Sequence, residues 1–141
     1  MASSNKLTIP GRYDRIREAC DFVVAGAETA GFDPDEIFRI QLACDEACTN
    51  IIEHAYGAED AGQILVSWQK NKGAFIIEMR DNGRAFQPEE IPSPSVPDSS
   101  DEVDELKVGG LGLHFMRTLM DEVKFSFDDE GNQLTMIKYI K

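Results

Sequence analysis

The stretch from Leu42 to Tyr56, LACDEACTNIIEHAY, lies in the segment with the strongest periodic pattern of the chain. Apolar residues recur along one side at spacings of three and four: Ile37, Ile40, Cys44, Cys48, Ile51 and Ala55. The other side carries polar and acidic residues: Asp45, Glu46, Thr49, Asn50 and Glu53. This period predicts an amphipathic helix. Asp33 and Pro34 supply its start signals, and Gly57 ends it.

The segments around this helix predict an α+β fold. Alternating apolar residues indicate strands, and spacings of three and four indicate helices. The predicted elements are a strand at 6–9, helices at 12–30 and 34–56, strands at 64–68 and 75–79, a helix at 109–120, and strands at 122–127 and 133–140. This order predicts helices packed on one face of a mixed, mainly antiparallel sheet.

Length and composition indicate one cytoplasmic domain covering residues 1–141. A chain of 141 residues with 42% hydrophobic content suits a single core. The net charge of −12 argues against direct nucleic-acid binding, which needs a basic surface. No apolar run reaches membrane-spanning length, so we expect no membrane contact. Three cysteines without Cys-x-x-Cys spacing fit a reducing compartment, and Cys44 and Cys48 fall on the predicted core side.

Residues 88–107 differ in composition from the rest of the chain. They contain four of the six prolines and seven acidic residues against one lysine. Such a segment buries little apolar surface and predicts a long mobile loop. We expect it to act as a lid that extends over residues 84–108.

Glu46 and Asn50 form the first candidate site. Residues four apart are neighbours on a helix, so their side chains would project together. A carboxamide oxygen can bind Mg²⁺, and a glutamate can orient or deprotonate a nucleophile. The alternative for this pair alone is an ordinary solvated helix face.

Asp81, Asn82 and Gly83 form the second candidate site. The alternation of Phe75, Ile77 and Met79 places Asp81 on the apolar face of its strand. An aspartate at the rim of the core could accept a hydrogen bond from an exocyclic amine such as that of adenine. Gly83 would allow the backbone to approach the base closely. A simple turn is the alternative for this tripeptide.

The third candidate site is the glycine-rich stretch Gly109-Gly110-Leu111-Gly112-Leu113 at a predicted helix N-terminus. Free N–H groups and the helix dipole favour an anion such as phosphate there. A flexible hinge before a helix is the alternative. The stretch does not follow a strand as Gly-x-Gly-x-x-Gly, and no Walker-type Gly-Lys-Ser/Thr occurs.

Taken together, the three sites resemble the boxes of the GHKL ATPase superfamily. The segment from Glu46 to Asn50 is similar to its N box, Asp81-Asn82-Gly83 to its first glycine box, and the segment from Gly110 to Leu113 to its second. Residues 42–56 are especially similar to the anti-sigma-factor serine kinases. The resemblance implies a two-layer α/β sandwich of the GHKL (Bergerat) type that binds ATP and Mg²⁺ under a lid.

The resemblance also implies residue roles. Glu46 would be the catalytic base or orient water, and Asn50 would hold Mg²⁺. Asp81 and Gly83 would contact adenine. The residues near the phosphates would be Lys107, Gly109, Gly110, Leu111, Gly112 and Leu113. The implied partner is a STAS-domain anti-anti-sigma protein phosphorylated on serine, with a sigma factor as a second partner and homodimerisation through the face away from the nucleotide.

Two positions depart from the family pattern. Ala85 stands where the first glycine box often has a second glycine. Val108 stands where some kinases of the family place a basic residue, and Lys107 lies one residue earlier. The departure at Val108 motivates a second hypothesis, a nucleotide-gated protein-binding regulator with little or no phosphoryl transfer. A plain ATPase is a third hypothesis.

Overall fold

The computed structural model describes residues 5–84 and 116–140, which build one antiparallel sheet covered on one face by helices. The strands are β1 (Asn5–Pro10), β2 (Gln63–Asn71), β3 (Ala74–Asp81), β4 (Glu122–Asp128) and β5 (Gly131–Tyr139). Their order in the sheet is β1-β2-β3-β5-β4, and each neighbouring pair in the described part is antiparallel. The predicted α+β fold with a mainly antiparallel sheet is therefore confirmed.

Helix α1 (Ile16–Ala30) begins later than the predicted start at Arg12. Residues Tyr13–Arg15 form a 3-10 turn instead of the first α-helical turn. The helix ends at Gly31, whose φ of 90° lies in the left-handed region that glycine adopts without a steric penalty.

Helix α2 (Pro34–Asn50) begins where the sequence predicts. The Asp33 carboxylate caps it by accepting a hydrogen bond from the backbone N–H of Glu36 at 2.9 Å. The helix continues through Tyr56 and ends at Gly57 as predicted, but its last part, Ile51–Tyr56, is π-helical. Over so few residues the apolar spacing fits regular and wide helical turns alike, so the pattern could not separate them.

The core lies between the sheet and the helical residues that cover it, which are α1, α2, residues 51–56 and residues 116–119. Of the residues predicted to alternate along β2 and β3, five are fully buried there, Ile64, Val66, Phe75, Ile77 and Met79, and Trp68 is partly buried. The indole of Trp68 on β2 packs over Gly26 of α1, where any Cβ would overlap the ring. Gly26 therefore allows α1 to approach the sheet closely.

The three cysteines, Cys20, Cys44 and Cys48, are free and buried. Burial raises the pKa of the Cys20 thiol to about 12, so the reactive thiolate is scarce at neutral pH. The predicted core role of Cys44 and Cys48 is confirmed. Residues 5–84 and 116–140 contain no group of three or more His, Cys, Asp or Glu side chains that could hold a metal ion. No helix in that described part is long and apolar enough to cross a membrane.

The register of the central strands brings Asp81 and Asn132 together. Asp81 is the last residue of β3 and pairs with Ile64 of β2 and Asn132 of β5. The turn before β5 is shorter than predicted, since β5 begins at Gly131 and Asn132 is a strand residue. Residues directly opposite in an antiparallel pair share a face. Both side chains therefore lie on the helix-covered face of the sheet.

Candidate nucleotide site

The Asp81 carboxyl group is buried at the end of β3, with 4% of the residue exposed. Its Oδ1 accepts hydrogen bonds from the Gly83 N–H at 2.8 Å and from Asn132 Nδ2 at 2.9 Å. Burial raises the pKa of Asp81, and the two hydrogen bonds oppose the rise because they favour the charged form. None of the described residues donates to Oδ2. One carboxylate oxygen is therefore available to a ligand.

Asn132 is a site residue that the sequence analysis missed. It is 7% exposed, and its Nδ2 donates to Asp81 Oδ1 and, at 2.8 Å, to the backbone oxygen of Arg84. Nothing in the local sequence marks Asn132, which follows the acidic turn as an ordinary turn residue would. Only the pairing of β3 with β5 brings it beside a carboxylate 51 positions earlier.

Gly83 packs against the end of the π-helical segment. A Cβ at this position would lie 2.5 Å from the Ala55 backbone oxygen. The same oxygen accepts a hydrogen bond from the Arg84 N–H at 2.9 Å, and Arg84 Nε donates to the His54 backbone oxygen at 2.9 Å. The absence of a side chain at Gly83 thus lets the chain after β3 lie directly on this helix end. Its predicted contact with adenine stays a prediction.

Tyr56 holds the backbone beside Asp81 in place. Its hydroxyl accepts a hydrogen bond from the Asn82 N–H at 3.0 Å and donates to the backbone oxygen of Gln63. One phenol therefore joins the last helical residue to the start of β2 and to the segment after β3. Tyr56 lies in the segment 42–56 that resembles the anti-sigma-factor kinases, but no role was predicted for it.

Asn50 lines the same cavity as Asp81. It is 5% exposed, and its Nδ2 has no hydrogen-bond partner among the described residues. An unsatisfied buried amide costs about 1–3 kcal/mol, which a polar ligand in the cavity would offset. The described residues lining this cavity are Ala47, Asn50, Ile51, Ala55, Asp81, Met116, Phe125, Asn132, Gln133 and Leu134.

This cavity has the chemistry that an adenine base requires. Its walls are mostly apolar, and Asp81 supplies an acceptor for an exocyclic amine. The Asn50 carboxamide is a group that can bind Mg²⁺ together with phosphate oxygens. The free volume is about 20 Å³, room for one water-sized molecule, so a purine is accommodated only when the walls move apart.

Glu46 precedes Asn50 by one helical turn and is half-buried. Burial raises the pKa of its carboxyl group, and the negative charges of Asp45 and Glu53 raise it further. A carboxylate with a raised pKa is a stronger base. Glu46 and Asn50 therefore lie one turn apart on the helix, as the spacing predicts, and the role of Glu46 as base stays a prediction.

The remaining predicted site residues lie outside the described residues. They are Lys107, Gly109, Gly110, Leu111, Gly112 and Leu113, together with all of the predicted 84–108 lid except Arg84. Their roles stay predictions.

The described part of the site defines a class of protein. A buried aspartate ends a central strand of an antiparallel sheet and lines one cavity with a buried asparagine of a covering helix, which is the pair of residues that the resemblance to GHKL ATP-binding domains implies. A sequence model of the histidine kinase-like ATPase domain family matches residues 9–138. The chain belongs to this family.

Two relatives indicate which kind of enzyme within this family the chain resembles. The serine-protein kinase RsbW of Bacillus cereus (strain AH187) is 39% identical over 137 residues, which cover 96% of this chain and 84% of the relative. The serine-protein kinase RsbW of Listeria monocytogenes serotype 4a (strain HCC23) is 36% identical over 115 residues, which cover 81% of this chain and 73% of the relative. The predicted family and enzyme class, an anti-sigma-factor-type protein serine/threonine kinase, are therefore confirmed.

Solved structures show the same fold. The RsbU and RsbW domains of Rv1364c from Mycobacterium tuberculosis align with a TM-score of 0.68 and 17% identity over 98% of this chain, which spans 32% of that longer chain. The catalytic domain of histidine kinase ThkA aligns with a TM-score of 0.57 and 14% identity, covering 98% of this chain and 96% of that domain.

Proposed function

We propose that this protein uses ATP and Mg²⁺ to phosphorylate a serine of a STAS-domain anti-anti-sigma partner in the cytoplasm, and that it also sequesters a sigma factor, acting as a homodimer. The observation that carries the proposal is that Asp81 and Asn50 are both buried and line one cavity, and that among the described residues neither Asp81 Oδ2 nor Asn50 Nδ2 has a hydrogen-bond partner. Serine-protein kinases among its relatives support the substrate class.

The described residues have distinct roles in this reaction. Asp81 accepts a hydrogen bond from the amine of adenine, and Asn50 would hold Mg²⁺, which neutralises charge on the phosphates. Glu46 takes the proton of the serine hydroxyl while the serine oxygen bonds to the γ-phosphorus. The bond between this phosphorus and ADP breaks, and ADP leaves. Positioning and charge neutralisation supply most of the catalysis in such transfers.

The exposed face of α2 supports a protein substrate. Phe38 is 59% exposed and Leu42 is 40% exposed, and both lie on the helical row that continues to Glu46. This row, Phe38–Leu42–Glu46, is named the α2 ridge. Neighbouring exposed apolar side chains such as these two are typical of a surface that contacts another protein. A partner that covers the ridge would bring its serine close to Glu46.

The first test is calorimetric titration of Mg²⁺-ATP into wild type, Asn50→Ala and Asp81→Asn. We expect wild type to bind in the micromolar range, about −8 kcal/mol, and each variant to bind at least about tenfold more weakly. Gln41→Ala and Asp21→Asn, exposed on α2 and α1, are matched controls that should bind like wild type. Absence of binding by wild type would refute the nucleotide site.

A second test distinguishes a kinase from a nucleotide-gated regulator. The regulator is favoured by Val108, which stands where some kinases of the family have a basic residue. A purified STAS-domain partner is incubated with γ-labelled ATP and each protein. We expect label on one partner serine with wild type and almost none with Glu46→Gln. Tight, nucleotide-dependent partner binding without any label would support the regulator instead.

A further inference from the structure

The backbone N–H groups of residues 82–84, which directly follow β3, all bond within the protein. The N–H of the first residue donates to the Tyr56 hydroxyl at 3.0 Å, and that of the second to Asp81 Oδ1 at 2.8 Å. The N–H of the third donates to the Ala55 backbone oxygen at 2.9 Å. Two of the three acceptors belong to the end of the π-helical segment. The 82–84 segment is therefore fixed to that helix end.

The side chain of Arg84 adds a further bond to the helix end. Its Nε donates to the His54 backbone oxygen at 2.9 Å. Carbonyl groups in the last turn of a helix lack partners within the helix, and a cation beside them also interacts favourably with the helix dipole. The backbone oxygen of Arg84 accepts from Asn132 Nδ2 at 2.8 Å. Arg84 therefore connects the helix end with the start of β5.

The ring of Tyr56 packs against two glycines, which fixes where its hydroxyl lies. A Cβ at Gly62 would lie 2.5 Å from the ring, and a Cβ at Gly11 would lie 3.3 Å from it. The hydroxyl donates its hydrogen to the Gln63 backbone oxygen and accepts from the N–H of Asn82. The phenol therefore holds the 82–84 segment at one position relative to the helix.

We propose that Tyr56 and Arg84 are positioning residues that hold the base-binding and metal-binding groups of the site in a defined relation, a proposal that rests on the proposed nucleotide site. Those groups are Asp81, which directly precedes the 82–84 segment, and Asn50, which lies on the same continuous helical run as Tyr56. A nucleotide that reaches both groups gains from each only if their separation fits it. A separation defined in advance avoids the loss of conformational freedom on binding.

The same bonds define how the cavity opens. Its free volume of about 20 Å³ admits one water-sized molecule, so the helical wall must move away from the sheet before a purine enters. Because the helix end is bonded to the 82–84 segment, this movement pivots about Ala55 and Tyr56. A pivot at one end gives Asn50 a defined path relative to Asp81.

Metal-free ADP and Mg²⁺-ADP depend on this relation to different extents. Metal-free ADP contacts Asp81, which its own strand and Asn132 still hold when the 82–84 segment is loosened. Mg²⁺-ADP must reach Asp81 and Asn50 at once. A loosened relation lowers the population of the arrangement that binds it, and the affinity falls in proportion. Tyr56 and Arg84 should therefore control how much Mg²⁺ strengthens ADP binding.

The test is calorimetric titration of ADP with excess Mg²⁺ and, separately, with EDTA. The ratio of the two dissociation constants is called the Mg²⁺ gain. Tyr56→Phe keeps the ring and removes the hydroxyl. It should lower the Mg²⁺ gain about threefold or more and leave the affinity for metal-free ADP at the wild-type value. Tyr139→Phe is the matched control, because it removes a hydroxyl that donates to Glu122 on the opposite sheet face, and it should keep the full gain.

Substitutions of Arg84 test the second positioning residue. Arg84→Met keeps most of the side-chain length without its donors and should also lower the Mg²⁺ gain. Arg84→Lys restores a donor for the His54 oxygen and should recover part of the gain. Asn50→Ala should abolish the gain. Thermal melting checks that each variant is folded, and Arg84→Met decides the question if Tyr56→Phe does not fold.

The outcomes distinguish this proposal from the proposed function. If wild type does not bind ADP, or binds it equally with and without Mg²⁺, the proposed site fails and the positioning roles fail with it. If Asn50→Ala abolishes the Mg²⁺ gain while Tyr56→Phe and Arg84→Met keep it, only the positioning roles are wrong. They are wrong as well if both variants weaken ADP binding equally with and without Mg²⁺, because the two residues would then only support the fold.

Discussion

Burial raises the pKa of both Glu46 and Asp81, while their proposed roles require the charged forms. Keeping a carboxylate charged in a low-dielectric site costs stability, and this cost is common at functional sites. The two residues differ in whether neighbouring groups offset this cost. Asp81 receives hydrogen bonds from Gly83 and Asn132, whereas Asp45 and Glu53 raise the pKa of Glu46 further.

Glu46→Gln should increase thermal stability near neutral pH while lowering the rate of phosphoryl transfer by about 10²–10⁴-fold. The folded-state pKa of Glu46 lies above its unfolded value, so the folded protein binds this proton more tightly. The stability gain is therefore present above the folded pKa and disappears as the pH falls through it. Melting curves over a pH series, with initial rates, measure both effects.

The exposed α1 variant Glu28→Gln is the control for this prediction and should change neither stability nor rate. A pH-independent stability difference between wild type and Glu46→Gln would show that the charge of Glu46 is not the cause. If Glu46→Gln still transferred phosphate to a STAS partner at the wild-type rate, Glu46 would not be the base.

Gly83→Ala should lower stability by about 1–3 kcal/mol, because the new methyl group would overlap the Ala55 carbonyl and force a backbone shift. ATP binding should weaken too, since the Gly83 N–H would move away from Asp81. Urea unfolding and ATP titration test this. Gly73→Asn, in the β2–β3 turn with open space around it, is the control: its φ of 72° is left-handed, which asparagine tolerates better than most residues, so we expect a smaller cost than at Gly83. Equal losses of unfolding free energy in Gly83→Ala and Gly73→Asn would contradict the packing argument.

At the scale of elements, α2 would contribute to both the nucleotide site and the partner surface in the proposed function. Along the row from Phe38 through Leu42 and Glu46 to Asn50 the exposure falls: Phe38 and Leu42 are exposed, Glu46 is half-buried, and Asn50 is buried in the cavity with Asp81. The π-helical segment that follows carries the Ala55 oxygen and Tyr56, which hold the chain after β3. One continuous run of helical residues thus connects the nucleotide cavity with the proposed partner surface.

Phe38→Ser and Leu42→Ser should reduce phosphorylation of the protein partner about tenfold or more through a higher KM, because truncating a side chain that anchors the centre of an interface typically costs about 2 kcal/mol or more. Their affinity for ATP should stay that of wild type, since neither residue lines the cavity. Steady-state kinetics over partner concentration, with ATP titration, separate the two effects.

Tyr139→Ser is the matched control, because Tyr139 is a similarly exposed aromatic residue on the sheet face opposite the helices. It should leave partner kinetics unchanged. If all three serine variants behave alike, general loss of surface apolarity and not the α2 ridge would explain the result.

At the scale of the whole molecule, the sheet assembles the site from distant parts of the chain. β3 contributes Asp81, and β5, which follows much later in sequence, lies beside it and contributes Asn132. The chain carries a net charge of −12, so a nucleotide must be held by local donors and a cation and not by a basic surface. Burial of Asn50 and of Asp81 in one cavity fits that requirement.

The sequence by itself determined the element order, the core faces of β2 and β3, the N-cap at Asp33 and the family. Each depends on local spacing or on a short motif, which neighbouring residues specify. The tertiary structure alone decided the pairing of Asn132 with Asp81, the packing of Gly83 on Ala55 and the burial of the Asn50 amide. These depend on strand register and on helix docking, which join residues far apart in the chain and leave no periodic trace in it.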